Sequence, residues 1–184
     1  MSHVTIHTPA TAELEEKGSR FLGFLVPWAD FETTLAHLRM EHRKASHHVT
    51  AFRHMLPDNR IEEGAKDDGE PAGTSGMPTL KVLIGANLVD AGVIIVRYFG
   101  GTKLGAGGLA RAYSGTALRT IEAATLIAWH RTVARTIICA FDEMSYMERR
   151  VSAAGLTVTA RDFTETGVEL TVEGPEELVT VLAE

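Results

Sequence analysis

Cysteine is nearly absent: Cys139 is the single one in 184 residues. That excludes an intrachain disulfide and structural zinc sites built from several thiolates. Cys139 sits in the run RTIICAF, whose β-branched residues predict a strand interior and a buried, inert thiol rather than a nucleophile. Long apolar runs are missing too, and none approaches the roughly 18–20 residues a membrane-spanning helix needs. The opening MSHVTIHTPATAELEEKGSR has no basic start, apolar middle or small-residue cleavage site, so no secretory signal is read there. The expectation is a cytoplasmic protein with no membrane partner.

Common catalytic signatures are also lacking. No HExxH occurs, and Thr74-Ser75-Gly76 and Tyr113-Ser114-Gly115 do not complete a GxSxG elbow. The adjacent His47 and His48 point to opposite faces of any strand and cannot share one ion. Neither GxxxxGK[ST] nor GxGxxG with a following ribose-binding acid is present. These absences predict no catalytic residue set, no metal centre and no cofactor.

What is present divides unevenly. Net charge is −6, which opposes indiscriminate nucleic-acid binding but allows a local site. Residues 131–184 carry 5 basic and 10 acidic side chains, against 13 and 14 in residues 1–130. All 8 histidines and 14 of the 17 glycines fall in the first part. Two domains follow, 1–130 and 131–184.

In the first, VTIHT, TAELEE and SRFLGFLVPWA read as strands. Asp30 is placed to cap a helix with Phe31, Leu35 and Leu38 on one face, ending near His42–Lys44. HHVTAFRHM reads as a fourth strand. Residues 57–76 hold almost no large apolar side chain except Ile61 and read as one long loop. MPTLKVLIGAN follows as a helix with Pro78 in its first turn. GVIIVRYF is a strand buried on both faces, and GGTKLGAGG leads to a helix over LARAYSGTALRTIEAATLIA. The second domain runs strand (ARTIICAF), helix (EMSYMERRVSAAG), hairpin (LTVTARDFT and VELTVEG), helix (PEELVTVLAE). This is five of the six elements of a ferredoxin-like sandwich, with the last strand expected but not found.

Two segments carry chemistry. Between Ala91 and Ile121 stand Arg97, Lys103, Arg111 and Arg119, with no acidic residue. Gly100, Gly101, Gly105, Gly107 and Gly108 free the backbone for close approach, and the following helix offers unpaired N–H groups. A phosphate-bearing partner fits. Close helix–sheet packing explains glycines equally well. In DDGEPAGTSGMP, Asp67, Asp68 and Glu70 either hold a hard cation such as Mg²⁺ or, as the commoner outcome, accept N–H groups of the Gly-rich backbone. Trp28, Trp129, Tyr98 and Phe99 are aromatics able to stack on bases, though Tyr98 and Phe99 face opposite ways on a strand, so at most one is free.

The motifs DDGEPAGTSGMPTL (67–80) and VIIVRYFGGTKLGAGGLARAY (93–113), with KGSRF (17–21) and SHHVTAF (46–52) before them, resemble the IMPACT family in its bacterial YigZ-like branch. The resemblance covers about residues 3–128. It implies an α+β first domain similar to domain IV of elongation factor G and to domain two of a ribosomal protein. It implies a ferredoxin-like second domain similar to domain V of that factor. RNA or ribosome contact and translation regulation follow as expectations, with Arg20, Arg97, Lys103 and Arg111 touching phosphate. Gly100, Gly101, Gly107 and Gly108 would let the backbone come close. Asp67, Asp68, Glu70 and His48 form a structural or ligand loop. Eukaryotic members of the family act in the starvation-stress pathway with an added RWD domain, for which this chain leaves no room. Two other functions stay open: an Mg-dependent enzyme on a phosphorylated small molecule, and a protein-interaction module whose partner docks on the sheet of residues 131–184.

Overall fold

The computed structural model describes residues 3–182, an α+β chain in two compact units that divide between Trp129 and His130. The first contains β1 (Val4–Thr5), β2 (Ala10–Glu16), β3 (Ser19–Pro27), α1 (Phe31–Glu41), β4 (His47–Met55), β5 (Ile61–Lys66), α2 (Gly76–Gly85), β6 (Ala91–Tyr98), α3 (Gly105–Glu122) and β7 (Ile127–Ala128). Its five-stranded sheet has the order β2-β3-β6-β4-β5, and every neighbouring pair is antiparallel.

The apolar run of β6 makes it the middle strand, and its period of two feeds two cores. Ile94 and Val96 pack with Val26, Phe31, Leu35 and Leu38 beneath α1. Val93 and Ile95 pack with Phe21, Leu25, Val49, Leu83, Leu109 and Tyr113 beneath α2 and α3. Each such side chain contributes roughly 1.5–3 kcal/mol of burial, so β6 anchors both layers. A 3₁₀ turn, Trp28–Asp30, runs straight into α1, and Asp30 makes no side-chain cap. Instead the Thr33 hydroxyl donates to the Asp30 carbonyl.

Two boundaries correct the sequence expectation. Residues 57–76 are not one loop, because Ile61–Lys66 form β5 at the sheet edge. This strand lacks apolar alternation because the Phe52 ring of β4 takes the place of a side chain at Gly64, where a Cβ would lie 2.2 Å from the ring. The long helix begins at Gly105, four residues before Leu109, and ends at Glu122. Ile127 and Ala128 pair with Thr5 and Val4 instead.

The second unit contains β8 (Thr132–Cys139), α4 (Met144–Ala153), β9 (Thr157–Phe163), β10 (Val168–Pro175) and α5 (Glu176–Leu182). Its sheet is antiparallel with the order β8-β10-β9. Val151, Leu156, Val168, Leu170, Val172 and Val179 form its core. Cys139 is 5 % exposed within that core, and burial pushes its thiol pKa up, as an inert thiol requires.

Candidate phosphate-binding site

The alternation that buries Val93 and Ile95 continues two residues further and turns Arg97 inward beside Phe21, its partner on β3. A cation there needs an anion, and Glu70 supplies it. Arg97 Nη1 donates to Glu70 Oε1 at 2.6 Å. The two side chains are 6 % and 3 % exposed. The Tyr113 hydroxyl of α3 donates to the same oxygen at 2.7 Å. Burial first, then this bond to Glu70, drives the Tyr113 pKa far upward, which keeps the phenol a neutral donor. Arg97 Nη2 reaches Ser19 Oγ. Its Nε is buried without a partner, and the guanidinium lies 5.6 Å from the centroid of the Phe99 ring.

The acidic loop is wired inward. Asp67 Oδ1 accepts from the Ser75 N–H, the Ser75 hydroxyl and the Gly76 N–H, and Oδ2 accepts from the Gly73 N–H. Burial raises the Asp67 pKa, but these donors together outweigh it and hold the carboxyl below its usual range. Asp68, at φ +50°, accepts the His48 N–H at 2.6 Å and faces Arg39 at 3.6 Å. His48 is itself buried, and that burial lowers its pKa. All three carboxylates of the loop are thus engaged by protein donors, and no group of metal-ligating side chains gathers among the described residues.

The basic half is built differently. Beyond β6 the chain folds back on the β2–β3 turn so closely that a Cβ on Gly100 would lie 1.9 Å from the Gly18 carbonyl carbon. Gly101 and Gly105 take φ of +85° and +71°. The helix α3 then starts on Gly105-Ala106-Gly107-Gly108, and no side chain caps it. Its first-turn N–H groups therefore have no intrahelical partner and carry the positive end of the helix dipole. Lys103 and Arg111 stand exposed beside this terminus. Neither takes part in an ion pair among the described residues, whereas Arg20, Arg53 and Arg97 do.

Two clefts flank the terminus, sharing Leu104 as a wall. One, of about 290 Å³, lies between Glu70, Arg97, Phe99, Lys103 and the helix start. The other, of about 180 Å³, is lined by Glu16, Lys17 and Arg111.

The structure therefore gathers Lys103, Arg111 and Gly100, Gly101, Gly107 and Gly108, and gives Arg97 to the floor rather than the surface. Arg20 lies elsewhere: it pairs with Tyr98 across the sheet, on the face opposite Arg97, and its guanidinium is held by Glu13 at 2.7 Å. Lys17 was missed by sequence reasoning. Its signal was the KGSRF motif, whose Gly18 must pack on Gly100. Among the aromatics, Trp28 packs on Phe31, Phe52 and His54. Trp129 donates to Asp90 and Tyr98 pairs with His42. Phe99 alone of these four is half exposed beside the helix start, at 50 %.

A fold of this kind with a glycine-built helix start has clear relatives. Residues 17–121 match the family described as the Impact N-terminal domain, and the chain belongs to the IMPACT family. Within it the chain is similar to YigZ of Escherichia coli (strain K12), at 35% identity over 143 residues, 76% of this chain and 70% of that protein. A family member of Haemophilus influenzae is 41% identical over 60% of this chain and 56% of its own length. This chain thus spans little more than half of that second relative. The crystal structure of a hypothetical protein superposes with a TM-score of 0.72 at 30% identity, covering 98% of this chain and 89% of that one. No helix among the described residues is long and apolar enough to cross a membrane.

Proposed function

We propose that this protein is a non-enzymatic, translation-associated regulator that binds RNA or the ribosome through the start of α3. One observation carries the reading. Two exposed cations, Lys103 and Arg111, that form no ion pair among the described residues flank an uncapped helix terminus in a stretch that holds no acid. Such a terminus with free cations favours phosphate groups. Membership of the IMPACT family, which implies a first unit similar to domain IV of elongation factor G, supports an RNA partner. So does the β8-α4-β9-β10-α5 order of the second unit, which suits a ferredoxin-like domain. The carboxylates of Asp67, Asp68 and Glu70, each engaged by protein donors, give no support to a magnesium enzyme.

Co-sedimentation with ribosomes tests the reading. The full chain pellets with ribosomes and is released when RNA is digested. A variant carrying K103E and R111E stays in the supernatant. Pelleting that survives both nuclease and the double substitution overturns it in favour of a protein partner.

A further inference from the structure

We propose that the cleft between Glu70, Phe99 and the first turn of α3 seats one unpaired nucleotide of a single-stranded RNA, its base on Phe99 and its phosphate at the helix start. The proposal rests on the RNA-binding reading and assigns it a strand form and a seat.

Charge sets the number of phosphates. Glu70 is already answered by Arg97 at 2.6 Å, so the floor brings no net charge. What remains is the Lys103 ammonium and the positive end of α3, about half a charge, which suits one phosphodiester. The Arg97 Nε, buried and without a partner on the cleft floor, is a further donor awaiting an acceptor.

Shape sets the rest. The volume of about 290 Å³ lies at the small end of ligand sites, room for a base and its sugar and not for a folded duplex edge. Phe99 is half exposed at the mouth, and the Arg97 guanidinium backs it at 5.6 Å. A large apolar ring left open to water beside a phosphate seat is a stacking platform, and every base has a face to offer it. The neighbouring cleft with Lys17 and Arg111, across Leu104, continues the path for the next phosphate along the strand.

Glycine at position 107 agrees. A Cβ there would meet only the tip of the flexible Arg111 side chain, at 3.4 Å, so packing does not demand glycine. Bare backbone at the helix start serves close approach.

The test is fluorescence anisotropy with a labelled single-stranded RNA octamer and with the same sequence as a duplex, using the full chain. Expected is preference for the single strand. F99A should weaken single-strand binding on the order of ten-fold and leave duplex binding and the thermal midpoint unchanged, with F99W retaining affinity. Single-strand binding unaffected by F99A, or a wild-type preference for the duplex, overturns the nucleotide seat. The broader RNA reading still stands in that case if K103E with R111E abolishes binding of both forms. Binding of neither form by the wild-type chain overturns both.

Discussion

Glu70 and Arg97 meet at 2.6 Å with almost no solvent at either side chain, joining the acidic loop to the last inward position of β6. Removing one partner of such a pair leaves the other charge buried, which costs about 3–5 kcal/mol. Glu70→Ala should therefore lower the stability of the first unit by that amount. Replacing both, with Glu70→Leu and Arg97→Met, should cost clearly less than the two single changes added together. Both tryptophans, Trp28 and Trp129, lie in the first unit, so urea unfolding followed by tryptophan fluorescence reads it separately. Additive losses would show that the pair is not coupled.

Acid should unfold the first unit by a predictable route. Asp67 and His48 both have folded-state pKa values below their ordinary ones. In each case the unfolded chain binds the proton more readily, so stability is complete above the ordinary pKa and falls as pH drops through the folded value. For His48 the loss starts near its ordinary 6.5, and for Asp67 near 3.8. Tryptophan-monitored stability should decline below about pH 6.5 and steepen below about pH 4. Asp67→Asn should be less stable at neutral pH and flatter in the acid limb. An unchanged acid limb in that variant would contradict the wiring of the loop.

Two glycines of the same segment should respond in opposite directions. Gly107→Ala is expected to stabilise the protein by about 0.5–1 kcal/mol, the usual gain at a helical glycine, while weakening RNA binding. Gly100→Ala should destabilise it by several times more, because the new methyl group meets the Gly18 backbone at 1.9 Å. Thermal midpoints of the two variants, read side by side, separate them. Equal and opposite-signed surprises at either site would mean that the segment is packed differently.

Much of the first unit is legible in the chain. The β6 run announces its two-sided burial through composition alone, and Phe31, Leu35 and Leu38 reveal α1 by their spacing. What was hidden had physical causes. The edge strand β5 is masked because Gly64 yields its place to the Phe52 ring. The start of α3 is masked because glycine is a poor helix former, yet Gly105–Gly108 form its first turn. Arg97 illustrates the limit of counting charges. As one of four cations in an acid-free stretch it reads as a phosphate contact, whereas its register, two residues past Ile95, places it in the core opposite an acid. That alternation was available in the sequence, but the acid, Glu70, stands 27 positions away. No local pattern joins the two.

The central claim is that Lys103 and Arg111 hold phosphate at the start of α3. It is tested most directly by the affinity for a single-stranded RNA measured across salt concentrations, for the wild type and the K103E/R111E variant. The account predicts a steep fall of affinity with salt in the wild type. The double substitution should shed binding and flatten the slope by about 1.4, roughly 0.7 for each lost phosphate contact on a single strand. A variant that binds as tightly as the wild type, with the same slope, would contradict it.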